Sequence, residues 1–98
     1  MNYSETVSAD RRLLILQVLR SAYAYTAPLV LMRKFMSSAA RPVSADLLAT
    51  DLAWLGEQGL IDCKTTEGEL IATLTTRGSD VASGLAIIPG VRRPEPGE

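Results

Sequence analysis

Residues 44–75 constrain the fold of this chain more than any other stretch. Ser44 stands just ahead of Leu48, Leu52 and Leu55, which are spaced i, i+4, i+7. That spacing predicts a helix over about 45–58 with the three leucines on its buried face. Leu47 and Trp54, seven apart, form a second apolar line beside them, and Gly59 closes the helix in the left-handed position. Two short strands follow directly. Residues 60–65 alternate apolar and polar, and residues 70–75 place Leu70, Ala72 and Leu74 on one face. Thr66-Glu67-Gly68-Glu69 joins them as a hairpin turn, with Gly68 supplying a positive φ. Thr75 then caps a last short helix, 76–83, ended by Gly84.

The upstream residues supply two more helices. Ser8 is a candidate N-cap for a helix over 9–22, with Asp10 in its first turn and residues 1–7 polar and frayed ahead of it. Leu13, Leu16, Leu19 and Tyr23 line one face, and Leu14, Ile15 and Val18 widen the arc, as in a helix covered on more than one side. Thr26-Ala27-Pro28 reads as a helix start, because a proline in the first turn loses no hydrogen bond. The helix it opens runs over about 28–38, with Leu29, Met32 and Met36 on one face and Leu31 and Phe35 on the next. Its Met and Phe positions read as core, and Arg33 and Lys34 face outward. Pro42 disfavours helix at Arg41, so residues 39–43 form a short turn into the third helix.

The expected architecture is mainly α with a small β-hairpin: a winged helix-turn-helix of three helices, a two-stranded wing, a short C-terminal helix and an extended tail. Residues 1–84 form the domain. Residues 85–98 form the tail, apolar over 85–91 and Pro-rich over 92–98. Leu85, Ile87, Ile88 and Val91 are expected to dock on this domain or on a second copy.

Val43-Ser44, Leu52-Ala53-Trp54-Leu55-Gly56-Glu57-Gln58-Gly59-Leu60-Ile61 and Leu74-Thr75-Thr76-Arg77-Gly78 resemble the winged-helix family of bacterial regulators. A closer resemblance covers nearly the whole chain. Asp10-Arg11-Arg12-Leu13, Thr50-Asp51-Leu52-Ala53-Trp54-Leu55, Ala72-Thr73-Leu74-Thr75 and the tail Pro89-Gly90-Val91-Arg92-Arg93-Pro94 look like small winged-helix proteins of Mu-like bacteriophages and prophages. The resemblance implies a phage-derived, cytoplasmic, DNA-binding regulator with no enzymatic activity.

The residues themselves set the terms for DNA binding. Base readout relies on Arg, Lys, Asn or Gln, and none occurs between Val43 and Glu57. The candidate reading residues are therefore Ser44, Ala45, Ala49, Thr50 and Ala53, small groups suited to thymine methyls. Asp46, Asp51 and Glu57 add three negative charges to this helix, and Asp51 is placed to pair with Arg11 or Arg12. Candidate contacts to the DNA backbone are Arg33, Lys34 and Arg41 beside the second helix, Lys64 on the wing, and Arg92 and Arg93 in the tail, the last two as arms. Asp62, Glu67 and Glu69 surround Lys64. The partners expected are double-stranded DNA and a second copy in a homodimer, with no membrane and no small-molecule substrate. The alternative is a winged-helix protein-interaction or structural module, with Leu47, Trp54, Leu85, Ile87, Ile88 and Val91 as its oligomer interface.

Other chemistry has little support in the sequence. There is no His, the single Cys63 reads as a small buried hydrophobe, and the carboxylates lack metal-ligand spacing, so no cofactor, metal or enzymatic activity is expected. One cysteine forms no internal disulfide, which fits a reduced compartment. The longest uncharged run, 21–32, is too short to span a bilayer. Arg11-Arg12 followed by LLILQVL and Ala22-Tyr23-Ala24 mimics a secretion signal, but Arg20, Glu5 and Asp10 spoil the pattern. The net charge of −1 hides a polarity. Residues 1–45 carry six basic and two acidic residues, and residues 46–98 carry four basic and nine acidic.

Overall fold

A computed structural model describes residues 2–98. It is mainly helical with a three-stranded antiparallel sheet. In chain order the elements are α1 (Tyr3–Ser21), a single 3-10 turn (Tyr23–Tyr25), β1 (Thr26–Pro28), α2 (Leu29–Ser38), α3 (Ala45–Glu57), β2 (Ile61–Thr66), β3 (Glu69–Leu74) and α4 (Thr76–Ser83).

The first helix starts well before Ser8. The Asn2 side chain accepts a hydrogen bond from the Glu5 N–H at 2.8 Å, and Glu5 lies in the first turn at the positive end of the helix dipole. Residues 3–7 are helical and exposed, because this first part of the helix projects beyond the core. Leu13, Ile15, Leu16 and Leu19 are fully buried, which confirms the wide apolar arc. Tyr23 is not part of it. The helix ends at Ser21, Ala24 and Tyr25 take left-handed φ values of 56° and 55°, and Tyr23 is left 97 % exposed.

The third strand was not evident from sequence. Thr26–Pro28 pairs antiparallel with β3 in the register Thr26↔Thr73, Ala27↔Ala72, Pro28↔Ile71, giving the strand order β1-β3-β2. Three residues are too few to show an alternation. Pro28 ends the strand and also serves as N-cap of α2 with extended backbone (φ −77°, ψ 151°), so the helix-start reading was sound but incomplete. On α2, Met32 and Met36 enter the core, while Leu31 and Phe35 stay exposed on the neighbouring flank. Phe35 is thus not a core residue, because nothing packs over that side of the helix deeply enough to cover it.

The stretch from Ser44 onward matches its pattern closely. Ser44 Oγ accepts from the Leu47 N–H at 3.1 Å, Leu48, Leu52 and Leu55 are fully buried, and Gly59 has φ 76°. The hairpin loop is Glu67-Gly68, both at positive φ, as a two-residue turn of the twist-compatible kind requires. Thr75 Oγ1 accepts from the Gly78 N–H at 3.0 Å and opens α4. Gly78 is there for space: a Cβ on it would lie 2.0 Å from the Leu60 carbonyl oxygen, so only glycine lets α4 pack this close to the start of β2. Cys63 departs from its reading as a buried hydrophobe. It is exposed, although its Sγ approaches α3 and lies 3.8 Å from the Leu52 oxygen. Partial burial raises the Cys63 thiol pKa, and Asp62 adds to the rise.

The tail is divided between core and solvent. Ile88 and Val91 are buried in the core formed by all four helices and the sheet, whereas Leu85 (83 % exposed) and Ile87 point outward. Three hydrogen bonds strap this segment across α1. The Arg12 guanidinium donates to Gly90 O at 3.1 Å, the Arg92 N–H donates to Ala9 O at 3.1 Å, and Arg92 Nε donates to Asp10 at 3.0 Å.

Candidate nucleic-acid interface

The turn between α2 and α3 creates an open cleft of about 680 Å³. Leu29, Val30, Arg33, Lys34 and Ser37 form one wall, and Pro42, Val43, Ser44 and Ala45 form the other. Arg33 Nε donates to Val43 O at 3.0 Å and so ties α2 to the residue ahead of the Ser44 cap. Lys34 is exposed, and among the described residues neither cation is in an ion pair. Two positive charges therefore flank the N-terminal end of a capped helix, where an anion is electrostatically favoured.

Along α3 the reading residues divide by exposure. Ser44, Thr50 and Ala53 are exposed, and Ala45 and Ala49 are half-buried. Thr50 Oγ1 donates back to Asp46 O at 3.0 Å, which occupies its hydroxyl hydrogen. Leu47 is exposed between them. Asp51 is turned inward: it is 2 % exposed, and it is ion-paired with buried Arg11 and, at 3.4 Å, with Arg12. The sequence placed this pairing correctly, and burial makes it an internal one. Removing Asp51 from the outer face leaves Asp46 and Glu57 as its exposed acids.

Trp54 belongs to the same buried cluster. The Arg12 guanidinium carbon sits 4.1 Å from the Trp54 ring centroid, a cation–π geometry. A Cβ on Gly90 (φ 97°) would meet the ring at 2.9 Å. Asp51, Arg12, Trp54 and Gly90 thus form one stack between α3, α1 and the tail.

Two of the six backbone candidates are held within the chain. Arg41 binds Asp10 at 2.5 Å, and Arg92 lies between Asp10 (3.0 Å) and Glu98 (2.9 Å). The Asp10 carboxyl is held below its ordinary range, chiefly by the hydrogen bond from Arg41 and then by Arg92, although partial burial works the other way. Arg92 is therefore not a free arm. Arg93 and Lys64 are exposed, as are Arg20 and Arg77, which the sequence reading did not single out because isolated surface cations carry no pattern. Lys64 lies on the outer face of the β2–β3 hairpin among Asp62, Glu67 and Glu69, all exposed. Among the described residues no group of three or more His, Cys, Asp or Glu is placed to hold a metal ion, and no helix is long and apolar enough to cross a membrane.

No family model matches the chain. It is 34 % identical over 93 residues to an uncharacterized protein, gp26, of Escherichia phage Mu, covering 95 % of this chain and 96 % of the relative. It is 33 % identical over 78 residues to an uncharacterized protein of Haemophilus influenzae, covering 79 % and 76 %.

Proposed function

This chain belongs to the family of small proteins that includes gp26 of Escherichia phage Mu, and from that premise we propose that it is a winged helix-turn-helix protein that docks on duplex DNA as a cytoplasmic regulator. In this reading α2 and α3 form the helix-turn-helix and the β2–β3 hairpin is the wing, with β1 added at its inner edge. The observation that carries it is the cleft at the start of α3, where Arg33 and Lys34 stand beside the Ser44 cap. In this reading α2 crosses the phosphate backbone and α3 faces the major groove, as in helix-turn-helix docking generally. Arg33 and Lys34 then bind phosphates, and Ala45, Ala49, Thr50 and Ala53 allow close approach with little discrimination among bases. The work of the protein is binding, without catalysis, and a homodimer doubles its short contact.

This reading predicts a particular salt response. Each phosphate neutralised contributes about −0.9 to the slope of log K against log salt. Arg33 and Lys34 with one or two further cations per copy give a slope of roughly −2 to −4 for each protomer. Fluorescence anisotropy with duplexes of several sequences, from about 20 to 200 mM salt, measures it. Similar affinities across sequences and a slope in that range support the reading; no binding at the lowest salt for any duplex removes it.

A second reading is a winged-helix protein-interaction module. It is favoured by the exposed acids of α3 and the wing, and by exposed Leu31, Phe35 and Leu47. A stable complex that ignores DNA at low salt selects this alternative.

A further inference from the structure

The free edge of β2 is the least protected backbone in the sheet. The order β1-β3-β2 leaves β2 with one unpaired side over all six residues, Ile61–Thr66, and residues 62–66 are exposed. The opposite edge is different: β1 has three residues and ends in Pro28, which has no N–H to offer.

The parity of that edge follows from the hairpin. Thr66 and Glu69 flank the two-residue loop, so they form a hydrogen-bonded pair, and such pairs alternate along the ladder. The Thr75 N–H donates to Leu60 O at 3.1 Å, which fixes the same parity at the other end. The backbone groups of Asp62, Lys64 and Thr66 and the Leu60 carbonyl therefore point toward β3, while the Leu60 N–H donates to Leu55 O at 3.0 Å. Those of Ile61, Cys63 and Thr65 point out from the free edge.

We propose that β2 pairs antiparallel with β2 of a second copy about a two-fold axis at Cys63, joining the two sheets into one of six strands. In this register Cys63 faces Cys63 of the copy, and Ile61 faces Thr65. The Cys63 pair joins outward N–H and C=O groups with matched donors and acceptors; Ile61 has the same parity but is 1 % exposed with its oxygen beside Gly56 of α3, so the ladder is confined to residues 62–64. Asp62 then stands opposite Lys64 of the copy, twice, by symmetry. Both fall at non-hydrogen-bonded positions, where Cα atoms approach to about 4.5 Å and side chains interact most closely.

Charge selects this register over its neighbours. Parity allows slips only in steps that keep outward residues opposite outward residues. One step one way sets Asp62 against Asp62, and one step the other way sets Lys64 against Lys64; like charges directly opposite are destabilising. Only the Cys63 axis pairs opposite signs. It also carries the acidic Glu67–Glu69 turn of each copy toward the Gly59 end of the other, where Arg77 is exposed and in no ion pair among the described residues. An exposed Lys or Asp on an edge usually blunts pairing. Here the two alternate so that they repel most registers and complement one.

The test is sedimentation equilibrium of the full chain at micromolar to submillimolar concentration, with amide exchange followed residue by residue. Wild type is expected at twice the 10.6 kDa chain mass, with the Cys63 amide slowing as concentration rises. Lys64→Asp sets like charges opposite and is expected to weaken association at least tenfold while leaving the thermal midpoint of the dilute protein unchanged. The Asp62→Lys/Lys64→Asp double variant restores the opposite-sign pairs and is expected to recover the dimer. A wild-type monomer throughout overturns the proposal. So does a Lys64→Asp dimer of unchanged affinity, a charge swap that fails to restore association, or a dimer whose Cys63 amide stays unprotected. None of these outcomes bears on Arg33 and Lys34, so the DNA reading is tested separately.

Discussion

Asp51 is a carboxylate at 2 % exposure, and its charge is acceptable there only because Arg11 and Arg12 share it. Buried ion pairs contribute little net stability relative to a well-packed apolar pair, but breaking one leaves an uncompensated buried charge. Asp51→Ala should therefore cost about 3–5 kcal/mol, measured by urea unfolding. Arg11→Met/Asp51→Leu should recover most of that loss in the same measurement. Asp10 makes the acid counterpart of this argument. Its carboxyl is held low by Arg41 and Arg92, so its contribution is fully present above the ordinary carboxylate range and is lost as pH falls through the lowered folded value. Unfolding free energy should drop below about pH 4, and the drop should be shallower in Asp10→Asn.

At the scale of elements, close approach matters more than propensity. Gly78 and Leu60 bring α4 against the start of β2 with no room for a Cβ. Gly78→Ala should cost about 1–3 kcal/mol or somewhat more, seen as a midpoint lowered by roughly 4–8 °C per kcal/mol. Gly90→Ala faces both the Trp54 ring and a positive φ, and should release the tail from α1; quenching of Trp54 fluorescence by iodide should rise. What was legible from the residues follows the same division. The Ser44, Thr75 and Gly59 caps and the Leu48-Leu52-Leu55 stripe are local signals, and they were read correctly. The pairing of Thr26–Pro28 with β3 is non-local and only three residues long, so no periodicity announced it. The early start of α1 at Tyr3 was hidden by polar residues that are exposed on a projecting helix. Of the candidate site, the cations Arg33 and Lys34 and the small face of α3 were visible as residue types. The loss of Arg41 and Arg92 to Asp10 was not, since their partner lies 31 and 82 residues away.

The whole molecule changes the meaning of the charge polarity. Residues 1–45 hold six basic residues, but Arg11 and Arg12 are spent on Asp51 and Arg41 on Asp10. Arg20, Arg33 and Lys34 remain exposed from that half. Much of the apparent dipole is thus internal, stitching α1 to α3 and to the tail. The tail is part of this stitching through Ile88, Val91, Gly90 and Arg92. Deleting residues 85–98 should lower the thermal midpoint by 10 °C or more, roughly what the loss of two buried aliphatic side chains entails. Of the exposed cations, Arg33 and Lys34 share the α2–α3 cleft, and the DNA hypothesis rests on that place. The most direct measurement is the affinity of wild type and Arg33→Glu/Lys34→Glu for a mixed-sequence duplex at about 50 mM salt. At least a tenfold loss is expected in the variant, with a salt slope shallower by about 2 and a thermal midpoint lowered by only a few degrees, since the Arg33–Val43 hydrogen bond is worth about 1 kcal/mol. Equal affinity and equal slope in the two proteins would contradict the DNA hypothesis.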